Sequence, residues 1–327
     1  MRDPVLVTGA TGFIGSRVAR RLLDRGRAVR VLVRDTSRLD PVLARRAEVV
    51  IGDVRHPADL ERAVSGAGTV IHLAALARAW SRTPSEFHDV NVEAVRQLIV
   101  CAEHAGVERL VHVSTMRSAE PAALRPVPGF ARGPTPYEAS KRGGDQLIAD
   151  AMRRGLDAVV VRPTRVYGPG AIETDANAAT RIVAQYLAGR FRVRIDDGDV
   201  LGNWVHVDDV AEGVVLAAER AGRGTAYALG GDNLSVREFL DLVGAIGGVR
   251  RRVFAVPPGA ALLVGLAAEL WGRLGGTAPF TARWVRGFLE ARPVDIGPAR
   301  RDLGYAPRSL VEGLTQTIDW LRKTPRG

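Results

Sequence analysis

A phenol and an ammonium stand four residues apart in the run Tyr137-Glu138-Ala139-Ser140-Lys141. On a helix this spacing puts both side chains on one face. A free phenol, with a pKa of about 10, is a poor acid or base at neutral pH. A cation beside it favours the phenolate, so Lys141 is expected to lower the Tyr137 pKa and tune it for proton exchange with an alcohol or carbonyl. Lys141 and Lys323 are the only lysines in a chain that otherwise uses Arg as its cation. A compact ammonium at 141 does what a planar guanidinium does not, reaching several hydroxyls from one point. Upstream, Val111-His112-Val113 runs into Ser114-Thr115. A hydroxyl at the carboxyl end of a strand can hold and polarise a substrate oxygen, and Thr115 is the residue expected to do so.

A second constellation opens the chain. Thr8-Gly9-Ala10-Thr11-Gly12-Phe13-Ile14-Gly15 follows an apolar strand and leads into an amphipathic helix. Gly9 permits a tight turn, Gly12 lets a pyrophosphate approach the backbone, and Gly15 lets the helix pack on the sheet. This is the pattern of a dinucleotide site. The second strand ends at Val33, where an NAD site wants a carboxylate; Arg34 follows, with Arg38 one turn further. A guanidinium there suits a 2′-phosphate, so NADP(H) is favoured and NAD(H) stays possible, because a one-residue shift in register would offer Asp35 instead. Ser114 is expected on the nicotinamide side.

The elements that must hold these groups follow from apolar runs at Val5–Val7, Val29–Val33, Val49–Ile51, Val70–Leu73, Leu110–Val113 and Ala158–Val161. Helical stretches near 13–25, 57–65, 86–105 and 135–154 alternate with them. Such alternation predicts an α/β, Rossmann-type doubly wound parallel sheet. After Arg162-Pro163, helices near 176–189, 207–221, 236–246, 259–274, 279–290 and 309–322 dominate, with a short strand at Ala226–Leu229 rejoining the sheet. The expected division is an NAD(P)-binding domain of 1–165 plus about 204–230, and a smaller, mainly helical substrate lobe of about 166–203 and 231–327.

Bulk composition narrows the partners. The net charge of +10 invites a nucleic-acid reading, but the basic residues are scattered among acids, and Arg250–Arg252 is too brief a tract. No nucleic acid is expected, and the positive field better serves an anionic cofactor. The lone Cys101 excludes an intrachain disulfide and fits a reducing, cytoplasmic setting. Met1-Arg2-Asp3-Pro4 runs straight into the first strand, leaving no room for a signal peptide. The apolar stretch Phe254–Leu270 is broken by Pro257-Pro258 and glycines, so it is expected as a core or substrate-pocket helix rather than a membrane span. The 6 His residues show no metal-ligand spacing, and no metal is expected. His206-Val207-Asp208-Asp209 has the look of a hydrolytic dyad, but an Asp capping the helix that starts near 208 is the expected role.

Taken together, the chain resembles the extended short-chain dehydrogenase/reductases, the NAD-dependent epimerase/dehydratase family, with dihydroflavonol reductase-like and 3β-hydroxysteroid dehydrogenase-like members nearest. The resemblance spans essentially the whole chain. It rests on Gly9–Gly15, Gly52-Asp53, His72-Leu-Ala-Ala75, Asn91-Val92, Ser114-Thr115, Tyr137 with Lys141, Arg162-Pro163, Tyr167-Gly168-Pro169, Trp204 to Val210, and Asp302 to Pro307. It implies that Asp53 and Val54 hold the adenine, Ala74 and Ala75 pass the diphosphate-ribose, Asn91 braces the site, and Lys141 binds the nicotinamide ribose. Thr11, Phe13, Ile14 and Pro163 complete the implied cofactor contacts. It also implies a homodimer through the helices near 86–105 and 135–154.

Two departures bear on the substrate. Sugar-nucleotide members usually carry Asn where this chain has Arg165, and often Arg where it has Gly202. A missing phosphate-binding guanidinium argues against a nucleotide sugar, although Arg165 compensates in part. The stretch Phe254–Leu270 and Trp80, Trp204, Trp271 and Trp284 suit a hydrophobic small molecule, or equally serve helix packing. The expected activity is therefore hydride transfer between NADP(H) and an apolar ketone, aldehyde or secondary alcohol, with Tyr137 exchanging the proton. A nucleotide-sugar epimerase or dehydratase is the runner-up, and a dinucleotide-sensing protein without turnover is the third reading.

Overall fold

Seven of the extended runs lie side by side in the computed structural model. They are, in spatial order, Ala226–Leu229, Ala158–Pro163, Arg109–Val113, Thr69–His72, Val5–Thr8, Val29–Val33 and Glu48–Ile51. Every neighbouring pair is parallel. The structure describes residues 1–78, 81, 83–119, 123–124, 127, 133–172, 177–274, 276 and 281–324. Strand order reverses at Val5–Thr8, whose Val7 stands opposite Val31 on one side and Ile71 on the other. The carboxyl ends on either side of that reversal form the crevice in which such sheets bind ligands.

Both faces of the sheet are covered, which is why its inner strands read as continuous apolar runs rather than alternating ones. Val5 and Val7 point into one core with the helices Gly15–Asp24, Val207–Arg220 and Gly297–Leu303, while Leu6 between them points into the other. That second core is built with the helices Pro57–Val64, Ala94–His104 and Pro136–Arg154. A third core, with Tyr167, Trp204, Phe239 and Leu314, joins the helices Ala178–Leu187, Val236–Gly247 and Leu310–Lys323.

The structure departs from the sequence reading in four places. The second half contains strands that the sequence reading does not name: Asp232–Ser235, Leu201–His206 and Arg165–Tyr167 form one small sheet, and Val193–Ile195 pairs with Phe254–Val256, at the start of the stretch expected as a helix. Arg, Asn, Asp and Gly hide most of them, and Phe254–Val256 is hidden by running into an apolar helix. The helix expected over 279–290 is confined to Ala282–Arg286, and Glu290–Ala291 is extended. The expected helix 86–105 is divided into Ser85–His88 and Ala94–His104 by a wide π turn at Asp89–Glu93.

The fourth difference is the helix Pro258–Arg273. It packs through Leu262 and the close-fitting Gly265 against Ala282 and Val285. Its larger apolar side chains, Leu263, Val264, Leu266, Leu270 and Trp271, face outward, as does Phe254 before it. The expectation that this stretch is core or pocket wall is therefore corrected: Leu262 and Gly265 face inward, and most of its large apolar side chains face outward. Among the described residues no helix is long and apolar enough to cross a membrane.

Tyr167 links the third core to the small sheet, edge-on to His206 at 5.5 Å and to Phe239 at 6.3 Å. A Cβ added at Gly313, on the helix Leu310–Lys323, would overlap the Tyr167 hydroxyl. Gly313→Ala should thus destabilise the chain by about 2 kcal/mol through overpacking. Urea unfolding measures this, and an unchanged midpoint would contradict the packing described.

Candidate active site

The glycine loop is held by backbone contacts that leave no room for side chains. Gly9 takes a φ of +74°, and a Cβ on it would sit 2.7 Å from the Ala74 amide nitrogen. A Cβ on Gly15 would run into the Gly9 carbonyl, and the Gly12 amide donates to that same carbonyl at 2.9 Å. Ile14 precedes the helix Gly15–Asp24 without any side-chain cap; the Ser16 and Arg17 amides donate to the Gly12 and Ile14 carbonyls at 3.1 Å each, and the positive end of the helix dipole still faces the loop. This cradle and uncapped terminus fit the pyrophosphate of a dinucleotide. Arg17 braces the loop from behind: it lies 5.0 Å over the Phe13 ring, donates to the Phe13 and Pro169 carbonyls, and pairs with Asp208 at 3.0 Å.

At the expected adenosine end, Val33 closes its strand and accepts from the Gly52 amide at 3.0 Å. Asp53 and Val54 are buried beside it, while Arg34 and Arg38 are exposed. The Arg34 guanidinium comes within 4.0 Å of Asp53, and Arg55 grips the same carboxylate at 2.7 Å. Burial alone would raise the Asp53 carboxyl, but the Arg55 hydrogen bonds hold it below its ordinary value. Asp35 is engaged locally, accepting from the Ser37 amide and hydroxyl at 2.8 Å each.

The helix Pro136–Arg154 starts in a capping box: Thr135 accepts from the Glu138 amide at 3.1 Å, and Glu138 accepts from the Thr135 amide at 2.7 Å. This fixes Tyr137 in the first turn, with Lys141 one turn deeper at 2% exposure. The Lys141 ammonium donates to the Val113 carbonyl at 3.0 Å. Desolvation draws Lys141 down to about 8, with Asp145 opposing, and pushes the Tyr137 phenol up to about 12. The expectation that Lys141 lowers the phenol's pKa is therefore not met. Burial outweighs the nearby cations, and the one acting most on Tyr137 is Arg117. A phenol that keeps its proton at neutral pH is a donor.

Thr115 and Ser114 are buried at the end of the strand Arg109–Val113, and Thr115 also accepts from the Arg117 amide at 3.2 Å. Asp145, a further turn along the helix, accepts from Ser118 at 2.9 Å and Arg162 at 3.1 Å. Against burial, His112 first, then Ser114 and Arg162, keep its carboxyl well below the usual range. His112 stacks on His72 at 5.7 Å. Burial and the Lys141 charge drive His112 to about 4, and burial with the His112 and Lys141 charges lowers His72 as well, so both rings are neutral near pH 7. Asn91, in the π turn, exchanges two hydrogen bonds with the Leu76 backbone and donates to Ser140 at 2.9 Å. It thereby ties the segment after Ala74 and Ala75 to the catalytic helix. His206, rather than an Asp, caps the helix Val207–Arg220, its ring accepting from the Asp208 amide at 3.3 Å.

Of these groups, Tyr137, Thr115 and Ser114 line one cavity of about 300 Å³ together with Ile14 and Pro163, while Lys141, Asp145 and Asn91 are not among its lining residues. Arg165, Trp204 and Phe288 form its far wall, and Ile182 and Ala179 add apolar surface. Trp204 stacks on Phe239 at 3.7 Å and donates to the Leu234 carbonyl. Trp271 is 63% exposed on the outer helix face and lines no part of the cavity. Trp80 and the Trp284 side chain lie outside the described residues.

The profile of the NAD dependent epimerase/dehydratase family matches residues 5–230. The chain belongs to the NAD-dependent epimerase/dehydratase family. Within it, the chain is 32% identical over 333 residues to a 4-hydroxy-2-methyl-3-oxo-4-farnesyl-3,4-dihydroquinoline-1-oxide ketoreductase of Stigmatella aurantiaca, covering 97% of this chain and 95% of that one. It is 30% identical to a 2-alkyl-3-oxoalkanoate reductase of Stenotrophomonas maltophilia, covering 95% of this chain and 97% of that one. It also superposes, with a TM-score of 0.74 and 30% identity over 99% of this chain and 97% of the other, on a dTDP-glucose 4,6-dehydratase double mutant of Streptomyces venezuelae with NAD bound. This family member is an oxidoreductase that uses a nicotinamide dinucleotide.

Sequence reading of this epimerase/dehydratase-family enzyme missed Arg17, Arg55, Arg117 and Asp145. Only Asp145 left a signal, since 137, 141 and 145 recur at one-turn spacing. The depressed Lys141 also carries a stability consequence. Below about pH 8 its charge is buried at a disadvantage, which fades as pH rises toward the unfolded value of 10.5. Lys141→Met should therefore melt several degrees above wild type at pH 7, with the gap narrowing by pH 10. A lower melting point at pH 7 would contradict this.

Proposed function

We propose that this enzyme reduces an apolar ketone with NADPH, through Tyr137, Lys141 and Thr115. The observation that carries the reading is the cavity itself, where a protonated, half-buried phenol and a threonine hydroxyl stand at one end of a largely apolar wall. The names of the two reductase relatives, both acting on oxo compounds, support it. The cavity also lies where 1–165 with about 204–230 meets 166–203 with 231–327, the division we read as cofactor and substrate halves.

In this mechanism Gly9, Gly12 and Gly15 take the pyrophosphate, with Thr11, Phe13 and Ile14 beside it. Ala74, Ala75 and Asn91 border the diphosphate-ribose, and Ser114 and Pro163 border the nicotinamide. The bound nicotinamide supplies the hydride. Thr115 holds the carbonyl oxygen by a hydrogen bond, and the Tyr137 hydroxyl gives that oxygen its proton. Lys141 would bind ribose hydroxyls from behind Tyr137, and with a pKa of about 8 it is mostly protonated at neutral pH. Tyr137→Phe removes the donor and should lower kcat by two or more orders of magnitude with the melting temperature unchanged. Turnover within threefold of wild type would take Tyr137 out of the mechanism.

The preference for NADPH over NADH rests on Arg34 and Arg38 after Val33, and on the engagement of Asp35 with Ser37. The exposed Arg34 guanidinium, at the 4.0 Å limit of an ion pair with Asp53, is within reach of a 2′-phosphate where a ribose-binding carboxylate would otherwise stand. NADPH should bind at least tenfold tighter than NADH by fluorescence titration, and Arg34→Ala should remove most of that ratio. Equal affinities in the wild type would refute the preference. Arg165 favours a second reading, the nucleotide-sugar epimerase or dehydratase, because a guanidinium in the cavity suits a diphosphate. Stoichiometric NAD+ retained through purification would support that reading over the reductase.

A further inference from the structure

The two departures noted at Arg165 and Gly202 occupy one place. A Cβ on Gly202 would overlap the Arg165 guanidinium, so the bare glycine is what lets that side chain lie where it does. The guanidinium sits 5.1 Å over the Trp204 ring and 5.7 Å over the Phe288 ring, and Nη2 donates to the Gly287 carbonyl at 3.3 Å. Its Nη1 is buried without a hydrogen-bond partner. No carboxylate among the described residues pairs with it. Glu138 is taken by Arg117 at 2.6 Å, and Glu290 by Arg292 at 2.8 Å. Burial first, then the like charges of Arg117 and Arg292, draw Arg165 down to about 10, with the Glu290 charge opposing them from beyond ion-pair distance. Stacking orients the group, but an unpaired cation in a desolvated wall is unfavourable unless an anion comes to it.

We infer that Arg165, in the space left by Gly202, receives a carboxylate of the substrate, so that the compound reduced is an apolar oxo acid rather than a neutral ketone. This rests on the reductase reading and narrows its substrate class. A planar guanidinium offers paired donors that match a carboxylate, and the aromatic rings on which it stacks exclude water from that contact. The apolar wall around Ile182 and Ala179 takes the chain of the acid.

Decanoate and decanol, which undergo no reduction, test the anion site apart from turnover; 3-oxodecanoate and its methyl ester with NADPH test it within turnover. Decanoate should bind at least tenfold tighter than decanol by calorimetry, and kcat/KM for the oxo acid should exceed that for the ester by a similar factor. Arg165→Gln should bring both ratios to within about twofold of unity. Gly202→Ala, which keeps the arginine but displaces it, should do the same and guards against a folding defect in the first variant. Equal binding of decanoate and decanol to wild type overturns the anion site, and reduction of the ester would then leave the reductase reading standing. Arg165-dependent decanoate binding without reduction of any ketone upholds the site and removes the reductase reading. If dTDP-glucose displaces decanoate and itself depends on Arg165 for tighter binding, the site serves a nucleotide phosphate and the carboxylate assignment fails.

Discussion

A charged lysine held almost out of water at the carboxyl ends of the sheet organises the centre of this molecule. Taking an ammonium out of water is unfavourable, and the surroundings of Lys141 are arranged to limit that penalty. The Val113 carbonyl accepts one of its protons, and Asp145 supplies the countercharge from the next turn of the same helix. Two stacked imidazoles nearby are neutral, adding no competing cation. Ser118 and Arg162 in turn fix Asp145. The phenol of Tyr137 inherits the same dry setting, which keeps its proton on.

The position of that lysine depends on two features that involve no charge at all. The capping box at Thr135 and Glu138 sets where the helix begins, and so the depth at which each turn of it lies. The π turn at Asp89–Glu93 places Asn91 so that it grips Leu76 on one side and Ser140 on the other. The glycine contacts at Gly9 and Gly15 complete the frame, because they allow the first helix and the fourth strand's exit to approach to backbone contact. Wide turns inside helices recur where a side chain must be aimed.

The parallel sheet was legible because two-sided burial makes each inner strand an unbroken apolar run, and the dinucleotide loop because glycine alone tolerates such contacts. Tyr137 and Lys141 were legible through helical spacing. The small second-half strands were not, since their pairing partners lie far along the chain, most have the composition of loops, and Phe254–Val256 runs into an apolar helix. Arg17 gave no signal for the same reason: its contacts with Pro169 and Asp208 bridge 152 and 191 positions. The direction of the Tyr137 shift was misjudged because spacing reveals which charges are near but not how much water has left. The outward face of the helix Pro258–Arg273 was misjudged because hydrophobicity gives no direction when both faces are apolar.

The shared space of Arg165 and Gly202 has a consequence for how this enzyme can change over time. Any side chain gained at 202 while Arg165 remains dislodges a guanidinium stacked on two rings, and loss of Arg165 alone leaves those rings facing an empty recess. Effects at the two positions are therefore non-additive. Each single step away from the present pair passes through a poorer enzyme, so a lineage reaches a different pocket only by nearly simultaneous replacement or by way of a small residue at 165. Libraries that vary one codon at a time will find this wall rigid, while those that randomise both codons together will find it malleable.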